Sequence, residues 1–253
     1  MKLSIIILSH NGWLQTKLCL QSLIHLLDAR DDIDVHVIDN GSTDGTLKSL
    51  NAVDAFRNKP IEFHRLEQNR GVAGGRNFGI RNSGESEYVM FLDNDTIVTP
   101  SSIIRLIEFM DNNPEIGLAA PALKGVNGKL QQSFKKFPGV KEKFLNLIGR
   151  KTDCDLENPG KILEPFYVIG ACQIIRRSVI GKTGYLDENI FFGPEDADFC
   201  IRVRQAGYKV VYNPEIELIH CWQRKSHRRP FSRISRAHIK GLLYFYKKWK
   251  RWF

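Results

Sequence analysis

The sequence predicts an α/β protein with a mostly parallel central sheet that is covered by helices. Strand and helix patterns alternate over the first two-thirds of the 253 residues, as expected when helices connect parallel strands. Residues 3–9 form a continuous apolar run, which is typical of a strand buried on both faces. Hydrophobic residues make up 42% of the chain and charged residues 26%, which is enough apolar surface for a substantial core.

Each predicted element rests on an apolar pattern that is bounded by turn residues. The predicted strands cover residues 3–9, 34–38, 61–66, 88–92, 117–123 and 166–175, followed by a closing hairpin between 210 and 219. The predicted helices cover the apolar positions of residues 14–27, 47–53, 76–80, 100–110 and 194–206. Residues 124–165 are irregular and rich in basic side chains, and we interpret them as a loop or lid.

The formal charge of +9 comes from the C-terminal tail. From residue 224 onward the chain has eleven lysines and arginines and no acidic residue, so the preceding part is close to neutral. We therefore divide the chain into a globular domain, residues 1–222, and a basic tail, residues 223–253. Interleaved aromatic and aliphatic residues predict an amphipathic helix there. Such a helix either lies at an anionic membrane surface or packs against the domain or a homodimer partner.

Two features predict a cytoplasmic protein, peripheral at the inner face of the plasma membrane if the tail binds lipid. No apolar run approaches the roughly 20 residues that cross a bilayer, and the N-terminal apolar run lacks the length and cleavage site of a signal peptide. The five cysteines are an odd number without a C-x-x-C pair. This pattern favours reduced thiols over disulfides or a zinc site.

Acidic residues cluster just past three of the predicted strands. They are Asp39, the pair Asp93 and Asp95, and the group Glu195, Asp196 and Asp198. Because ligands bind at the carboxyl ends of strands in open α/β sheets, these groups should meet in one crevice. Asp-x-Asp after a buried strand suits a hard cation, Mn²⁺ or Mg²⁺, that neutralises a diphosphate. For the tripeptide alone, the alternative is a solvated turn that ends a strand.

Five ordered segments resemble the successive motifs of family 2 glycosyltransferases. In this sequence they are Ser4–Asn11, Val37–Thr46, Asn69–Asn77, Phe91–Asp95 and Gly193–Cys200. The continuation to His220 is similar to the rhamnosyltransferase-like branch of that family. The resemblance spans about residues 3–222 and implies a GT-A fold with an inverting, single-displacement transfer from a nucleotide-sugar donor.

The resemblance also implies donor-binding and metal-binding residues. Asp39 would accept a hydrogen bond from the pyrimidine base of the donor, with Ser9 and Asn11 lining the same pocket. Asp93 would hold the ribose or assist the metal, and Asp95 would bind the metal directly. The nucleotide–sugar side of the crevice would be lined by Arg70, Gly74 and Asn77. The metal site would be completed by His220, for which a purely structural role is the alternative, and the diphosphate would be covered by Ser226 and nearby arginines.

The remaining implied roles concern bond formation. Inverting transfer needs one carboxylate to take the proton of the acceptor hydroxyl, and we predict that Asp196 is this base. Glu195 is predicted to contact the acceptor, and Asp198 to stabilise the helix N-terminus. Gly170 and Ala171 resemble the small-residue segment beneath the acceptor site, where tight strand packing is the alternative.

The resemblance does not identify the donor or the acceptor, and two other functions are considered beside it. The branch suggests dTDP-rhamnose, with a UDP-sugar as the other donor, and a hydroxyl of a glycan or lipid-linked acceptor in cell-surface polysaccharide synthesis. A nucleic-acid-binding protein would explain the basic tail but not the strand-end carboxylates, so no nucleic-acid partner is expected. A metal-dependent nucleotidyltransferase would use Asp-x-Asp without requiring Asp39 or the Glu-Asp helix. A nicotinamide enzyme is a poor fit, because Ser9-His10-Asn11-Gly12 replaces G-x-G-x-x-G.

Overall fold

The computed structural model describes residues 1–135, 160–221 and 233–250. Nine of the described strands form one sheet in the order β3-β2-β1-β4-β10-β6-β11-β5, with β7 paired to β6. They are β1 (Leu3–Ser9), β2 (Ile33–Asp39), β3 (Ile61–Arg65), β4 (Tyr88–Asp93), β5 (Thr96–Ile97), β6 (Ile116–Lys124), β7 (Leu130–Gln131), β10 (Cys172–Arg176) and β11 (Lys209–His220). A second, antiparallel sheet consists of β8 (Phe134–Lys135) and β9 (Tyr167–Val168).

Helices cover both faces of the large sheet. They are α1 (Trp13–Ala29), α2 (Thr46–Asn51), α3 (Gly71–Asn82), α4 (Pro100–Asp111), α5 (Arg177–Thr183), α6 (Glu195–Gln205) and α7 (Arg233–Trp249). The core on one face is completed by α1 and α4, and the core on the other by α3, α5, α6 and α7. The predicted α/β class, with a small antiparallel element and a C-terminal helix, is confirmed.

Strand pairing brings the ends of distant segments together. β1 lies in parallel between β2 and β4, so that Ser9 is opposite Asp39 and Leu8 is opposite Asp93. Helix α3 packs closely against this part of the sheet. Gly75 makes this possible, because it faces the Leu8 side chain at a position with no room for a Cβ atom. The predicted convergence of the strand ends at one edge is therefore present in the fold.

Two predicted elements were wrong. The hairpin between 210 and 219 is one long strand, β11, that runs parallel to β6 and shifts register between Asn213 and Glu217. Asn213 and Pro214 mimic a turn signal, but the Asn213 side chain accepts a hydrogen bond from the Glu215 N–H and the chain stays extended. The predicted strand 166–175 is split into β9 and β10, because the N–H of Gly170 binds a carboxylate of α6 instead of a neighbouring strand.

The C-terminal helix α7 packs on the domain through its last turns. Phe245 and Tyr246 are buried in the same core cluster as α3 and α6. Asp198 of α6 is fully buried, and its carboxylate lies 2.6 Å from Lys248 Nζ and accepts a hydrogen bond from Trp249 Nε1 at 3.0 Å. It also pairs with Arg202 at 2.9 Å. A buried acidic residue of α6 therefore attaches the tail to the domain.

We expect Asp198→Asn to destabilise the protein by about 3 kcal/mol, because the substitution leaves the largely buried Arg202 without its counter-charge and removes one of the two carboxylates that pair with Lys248, the other being Asp187. Urea denaturation of both proteins would measure this loss. The matched control is Asp54→Asn, which removes a pair with Arg57 whose side chains are 83% and 70% exposed. This control should change the stability by less than about 0.5 kcal/mol. Equal effects of the two substitutions would contradict the proposed attachment.

Two predictions about the whole chain can be compared with the described ranges. Within these ranges, no helix is both long enough and apolar enough to cross a membrane. Cys19, Cys172 and Cys200 are buried thiols and Cys221 is partly exposed, and none of the four forms a disulfide with another described residue. Cys154 lies outside the described residues.

Candidate active site

The loops that follow β1 and β2 lie side by side at the carboxyl edge of the sheet. Asp39 is 2% exposed, and its Oδ1 accepts a hydrogen bond from the Ser42 N–H at 3.0 Å. Asn11 joins the two loops: its N–H donates to Ser42 Oγ at 2.8 Å, and its Oδ1 accepts from the Thr43 N–H at 2.8 Å. The fold thus brings together Asn11 and Asp39, two of the predicted donor-binding residues.

Ser9 and Asn77 were also predicted to line the crevice, but both side chains lie in the protein interior. Each is 1% exposed. Ser9 Oγ is 2.8 Å from Thr16 Oγ1. The Asn77 amide donates to the Leu186 carbonyl and accepts from the Leu186 N–H, both at 2.9 Å. Both side chains form hydrogen bonds within the protein, because buried backbone and hydroxyl groups require hydrogen-bond partners. They support the walls of the crevice without forming its surface.

The N-terminus of α3 carries Arg70 and Gly74 at the same edge. The Arg70 N–H donates to Asn40 Oδ1 at 2.9 Å, and Asn40 Nδ2 donates to the Gly71 carbonyl at 3.0 Å. Asn40 therefore fixes the start of α3 against the loop after β2. The Arg70 side chain is 44% exposed and lies 3.8 Å from Glu188. A Cβ atom at Gly74 would lie 2.9 Å from Arg70 Cβ, so the glycine leaves space for this arginine.

Asp93, Asp95 and His220 form a cluster of metal-binding type between β4 and the end of β11. One ligand atom from each lies within 4.8 Å of the others, and Asp95 Oδ1 is 3.2 Å from His220 Nε2. His220 Nδ1 lies 2.7 Å from Gln131 Oε1, while Gln131 Nε2 donates to the His220 carbonyl at 2.9 Å. Gln131 therefore orients the imidazole so that Nε2 faces the carboxylates, as outer partners of metal-binding histidines do. Two carboxylates and an imidazole fit Mn²⁺ or Mg²⁺.

Burial and neighbouring charges shift the pKa values of the side chains in this cluster. Burial raises the pKa of Asp93 to about 6, and the neighbouring charge of Asp95 adds to this rise against the opposing charge of Arg76. Burial acts to lower the pKa of His220, but the hydrogen bond and charge of Asp95 together with the charge of Asp93 raise it overall. Carboxylates held this close repel one another. A divalent cation would relieve the repulsion, so the chemistry of the cluster fits a cation.

Arg76 connects this cluster to the acidic helix α6. It is 4% exposed, and its Nη2 donates to Asp93 Oδ1 at 3.1 Å and to the Gly170 carbonyl at 2.7 Å. Its Nη1 donates to Asp196 Oδ1 at 3.2 Å. Burial acts to lower the pKa of Arg76, but Asp196 and Asp93 outweigh it and raise the pKa. The guanidinium therefore stays charged and fixes the distance between the two carboxylates.

Asp196 is held on both carboxylate oxygens. Oδ1 accepts from Arg76, and Oδ2 accepts from the Gly170 N–H at 2.8 Å. Its side chain remains 18% exposed. Burial raises the pKa of Asp196, while Arg76 and the Gly170 N–H oppose the rise. A fixed, partly accessible carboxylate of raised basicity is suited to accept a proton.

Glu195 and Ala171 are more enclosed than the predicted acceptor contacts imply. Glu195 is 6% exposed, and its Oε2 has no hydrogen-bond partner among the described residues. Burial and the charge of Asp196 raise the pKa of Glu195. Ala171 is 3% exposed, and its carbonyl accepts from the Asp93 N–H at 2.9 Å. Ala171 therefore positions Asp93 through its backbone, and acceptor contact by either residue stays a prediction.

Gly170 should tolerate no side chain, because a Cβ atom there would lie 2.6 Å from Arg76 Nη2 and 2.7 Å from Asp196 Oδ1. We expect Gly170→Ala to displace both groups. If Asp196 is the predicted base, transfer activity should fall about 100-fold, the cost of misplacing a catalytic group by about 1 Å. Steady-state kinetics would measure the loss. Gly181→Ala is the control, because nothing lies within 4 Å of its added Cβ atom. Full activity of the Gly170 variant would refute a close Arg76–Asp196 arrangement.

Sequence reasoning missed the roles of Arg76, Asn40 and Gln131. A signal for Arg76 was available, since it lies three residues after Ala73 and four before Ile80, on the buried face of α3. Gln131 offered no such signal, because the contact with His220 joins positions 89 residues apart. The predicted cover of the diphosphate by Ser226 and its neighbouring arginines lies outside the described residues, as do residues 136–159 of the predicted lid.

Comparisons with known proteins identify the family and the fold of this chain. Residues 4–184 match the family described as Glycosyl transferase family 2. The N-acetylglucosaminyl-diphospho-decaprenol L-rhamnosyltransferase of Mycobacterium tuberculosis is 26% identical over 239 residues, which cover 87% of this chain and 76% of that protein.

Two solved structures have a similar fold. Staphylococcus aureus TarS 1-349 in complex with UDP-GlcNAc has a TM-score of 0.66 at 22% identity, over 90% of this chain and 60% of that chain. GalNAc-T7 with UDP, GalNAc and Mn²⁺ has a TM-score of 0.70 at 17% identity, over 98% of this chain and 48% of that chain. The chain thus spans 60% or less of these two structures, and the likeness confirms the GT-A fold. The family match over residues 4–184, which are more than half of the chain, places this chain in glycosyl transferase family 2.

Proposed function

We propose that this chain moves a sugar, with inversion, from a nucleotide-sugar to a hydroxyl of a glycan or lipid-linked acceptor, and that it requires Mn²⁺ or Mg²⁺. The observation that carries the proposal is the connection made by Arg76. It holds Asp93 of the metal-type cluster and Asp196 of α6 at 3.1 and 3.2 Å. A group for the leaving diphosphate and a group for the attacking hydroxyl therefore lie at neighbouring positions, as a single displacement needs.

Each part of the site has a distinct task in this proposal. Asn11 after β1, Asp39 at the end of β2 and Arg70 after β3 bind the donor. Asp95, His220 and Asp93 would hold the cation, which when bound would neutralise the charge that develops on the diphosphate.

Asp196 accepts the proton of the acceptor hydroxyl. As that oxygen bonds to the anomeric carbon, the bond from this carbon to the donor phosphate breaks and the nucleoside diphosphate leaves. Arg76 keeps the carboxylate in position throughout, because its charge is held by Asp93 and Asp196 together.

The relatives support a role in cell-surface polysaccharide synthesis and narrow the donors to test. The mycobacterial relative is named as a rhamnosyltransferase that acts on a lipid-linked sugar, and the TarS structure contains UDP-GlcNAc. We therefore propose dTDP-rhamnose and UDP-sugars as the first donors. A metal-dependent nucleotidyltransferase is a weaker candidate, because it would not need a positioned carboxylate such as Asp196 beside the metal-type cluster.

A thermal-shift and hydrolysis panel would test the proposed function. The purified full chain is mixed with Mn²⁺ and, in turn, dTDP-rhamnose, UDP-GlcNAc, UDP-glucose, GDP-mannose, the free nucleoside diphosphates and a short oligonucleotide. We expect at least one nucleotide-sugar to raise the melting temperature and to be slowly hydrolysed, and EDTA to abolish both effects. Stabilisation by the oligonucleotide alone would reject the proposal in favour of nucleic-acid binding.

We also propose that α7 touches an anionic membrane surface while its other side stays on the domain. Ile234, Ile239 and Leu243 are 49–54% exposed, although Phe245 and Tyr246 of the same helix are buried. Lysines and arginines interleave with the exposed apolar side chains, as in helices that lie at a lipid interface. Substrates anchored in lipid would then meet the crevice at the membrane.

Vesicle pelleting would test the membrane contact. We expect the full chain to sediment with vesicles that contain phosphatidylglycerol, and Ile239→Glu with Leu243→Glu to reduce the bound fraction at least about fivefold, because the loss of two apolar contacts is worth about 1 kcal/mol or more. Melting temperatures of the two proteins would verify that the variant folds. Unchanged pelleting would contradict membrane contact. A change in oligomeric state without any pelleting would instead favour a homodimer at this face.

A further inference from the structure

A second group of metal-binding side chains lies away from the candidate active site, on the edge of the sheet. His36 of β2 pairs in register with Glu62 of β3, and His64 lies two residues farther along β3. One ligand atom from each of the three lies within 4.8 Å of the others. His36 precedes Asp39 by three residues on its strand, which corresponds to about 10 Å. The group is therefore separate from the crevice at the strand ends.

The three ligand atoms form a triangle of suitable size for a tetrahedral cation. His36 Nδ1 is 3.2 Å from His64 Nε2 and 3.7 Å from Glu62 Oε2, and His64 Nε2 is 3.5 Å from the same oxygen. Zinc bonds of about 2.0–2.1 Å at tetrahedral angles place neighbouring ligand atoms about 3.3–3.4 Å apart. The observed edges bracket that value, so a zinc ion would require shifts of only a few tenths of an ångström.

The surroundings of His36 provide an independent observation. Its side chain is 2% exposed, and its Nε2 is 3.5 Å from Asp34 Oδ2. Among the described residues, neither His36 Nε2 nor Asp34 Oδ1 has a hydrogen-bond partner, although both atoms are buried. Buried polar atoms without partners are costly in a protein interior. A histidine that binds a metal through one nitrogen directs the other at a carboxylate, and Asp34 has the position of that carboxylate.

The cluster is also accessible. The Glu62 side chain is 64% exposed, which leaves an entry path and room for a water ligand. The ring of Phe78 from α3 contacts His64 edge-on at 5.8 Å between centroids and shields one side of the cluster.

We propose that His36, Glu62 and His64 bind one zinc-type cation, with Asp34 orienting His36 and water as the fourth ligand. The ligand set of two histidines and one carboxylate favours Zn²⁺ over Mg²⁺, since a majority of imidazole ligands suits Zn²⁺ whereas a majority of carboxylate ligands suits Mg²⁺. The ion would join the edge strand β3 to β2 and stabilise the nucleotide side of the sheet. This inference does not depend on the proposed transfer reaction.

Metal titration of the full chain in an active-site background would test the proposal. Asp95→Asn with His220→Gln removes two of the three ligands of the first cluster and leaves only Asp93. This protein, stripped with chelator, is titrated with Co²⁺ and with Zn²⁺. We expect one equivalent of Co²⁺ with the intense visible absorption of a tetrahedral complex. At a hundredfold excess of Zn²⁺ over its Kd, we expect a rise in melting temperature of about 5–10 °C.

Three variants in that background locate the site. Glu62→Gln with His64→Gln should abolish the absorption band, and Asp34→Asn should weaken Zn²⁺ binding about 10- to 100-fold. His25→Gln, which changes an exposed histidine of α1, should alter neither measurement. Circular dichroism establishes that each variant is folded. If the double variant is unstable, Glu62→Gln alone takes its place, because this substitution alters only an exposed side chain. Absence of the band in the starting protein, or its persistence after Glu62→Gln with His64→Gln, would overturn the proposal.

Discussion

Asp196→Asn is expected to lower the transfer rate about 10²- to 10⁴-fold, the usual contribution of a general base. The amide cannot take the hydroxyl proton. In either orientation its NH₂ group would face a donor, Arg76 Nη1 or the Gly170 N–H, because both carboxylate oxygens now accept hydrogen bonds. Asp95 and His220 are untouched, so the affinity for donor and Mn²⁺ should change little. Turnover with a saturating donor and titration calorimetry with the nucleoside diphosphate would separate the two quantities.

Glu195→Gln is the matched comparison for this variant. The two side chains are adjacent in α6, both have raised pKa values, and each substitution replaces a carboxyl group with an amide of nearly the same size. If Asp196 is the base, Glu195→Gln should retain at least about a tenth of the wild-type rate. The reverse order of rates would assign the proton transfer to Glu195, whose Oε2 has no hydrogen-bond partner among the described residues. Near-full turnover of Asp196→Asn would remove Asp196 from the mechanism.

Asp95→Asn is expected to act on binding, with donor affinity in the presence of Mn²⁺ reduced by about 10²-fold or more. Loss of an outer partner of a metal ligand already costs 10- to 100-fold, and Asp95 is placed to bind the ion directly. Calorimetric titration of Mn²⁺ and nucleoside diphosphate into the variant would measure the effect. Raising the Mn²⁺ concentration should recover part of the rate, whereas it should not help Asp196→Asn.

Gln131→Ala provides a graded control for this second prediction. It removes the 2.7 Å contact with His220 Nδ1 but leaves all three ligand side chains in place. Its Mn²⁺ affinity should fall between those of the wild type and Asp95→Asn. If Asp95→Asn binds donor as tightly as the wild type, with and without EDTA, then the cluster does not hold the metal that supports donor binding.

Much of the fold could be predicted from local patterns in the amino-acid sequence. Buried parallel strands such as β1 and β4 have continuous apolar sequences, and a polar residue marks the end of each strand. The two errors in the predicted elements arose where a local sequence pattern has a different role in the fold from the one that it usually indicates. Asn213-Pro214 resembled a turn but lies at a register shift within β11, and Gly170 interrupts a strand because its N–H binds Asp196.

Part of the candidate site could also be predicted from the sequence. The carboxyl ends of parallel strands share one edge, so Asp39 and Asp93 could be placed together without coordinates. What each side chain contacts could not be inferred in that way. Ser9 and Asn77 occur in matching motifs, yet their polar atoms are taken up by Thr16 and the Leu186 backbone.

The amino-acid sequence was sufficient for the α/β class, for the family resemblance and for the edge at which the carboxylates gather, because each depends on residues that are near one another along the chain. The link from Asp93 through Arg76 to Asp196, the orientation of His220 by Gln131, and the meeting of His36 with His64 emerged from the three-dimensional arrangement. Arg76 and Asp196 are 120 residues apart, and their contact depends on how α3 and α6 pack on the same face of the sheet. That packing places Asp196, the proposed base, beside Asp93 of the metal-type cluster, with Arg76 between them.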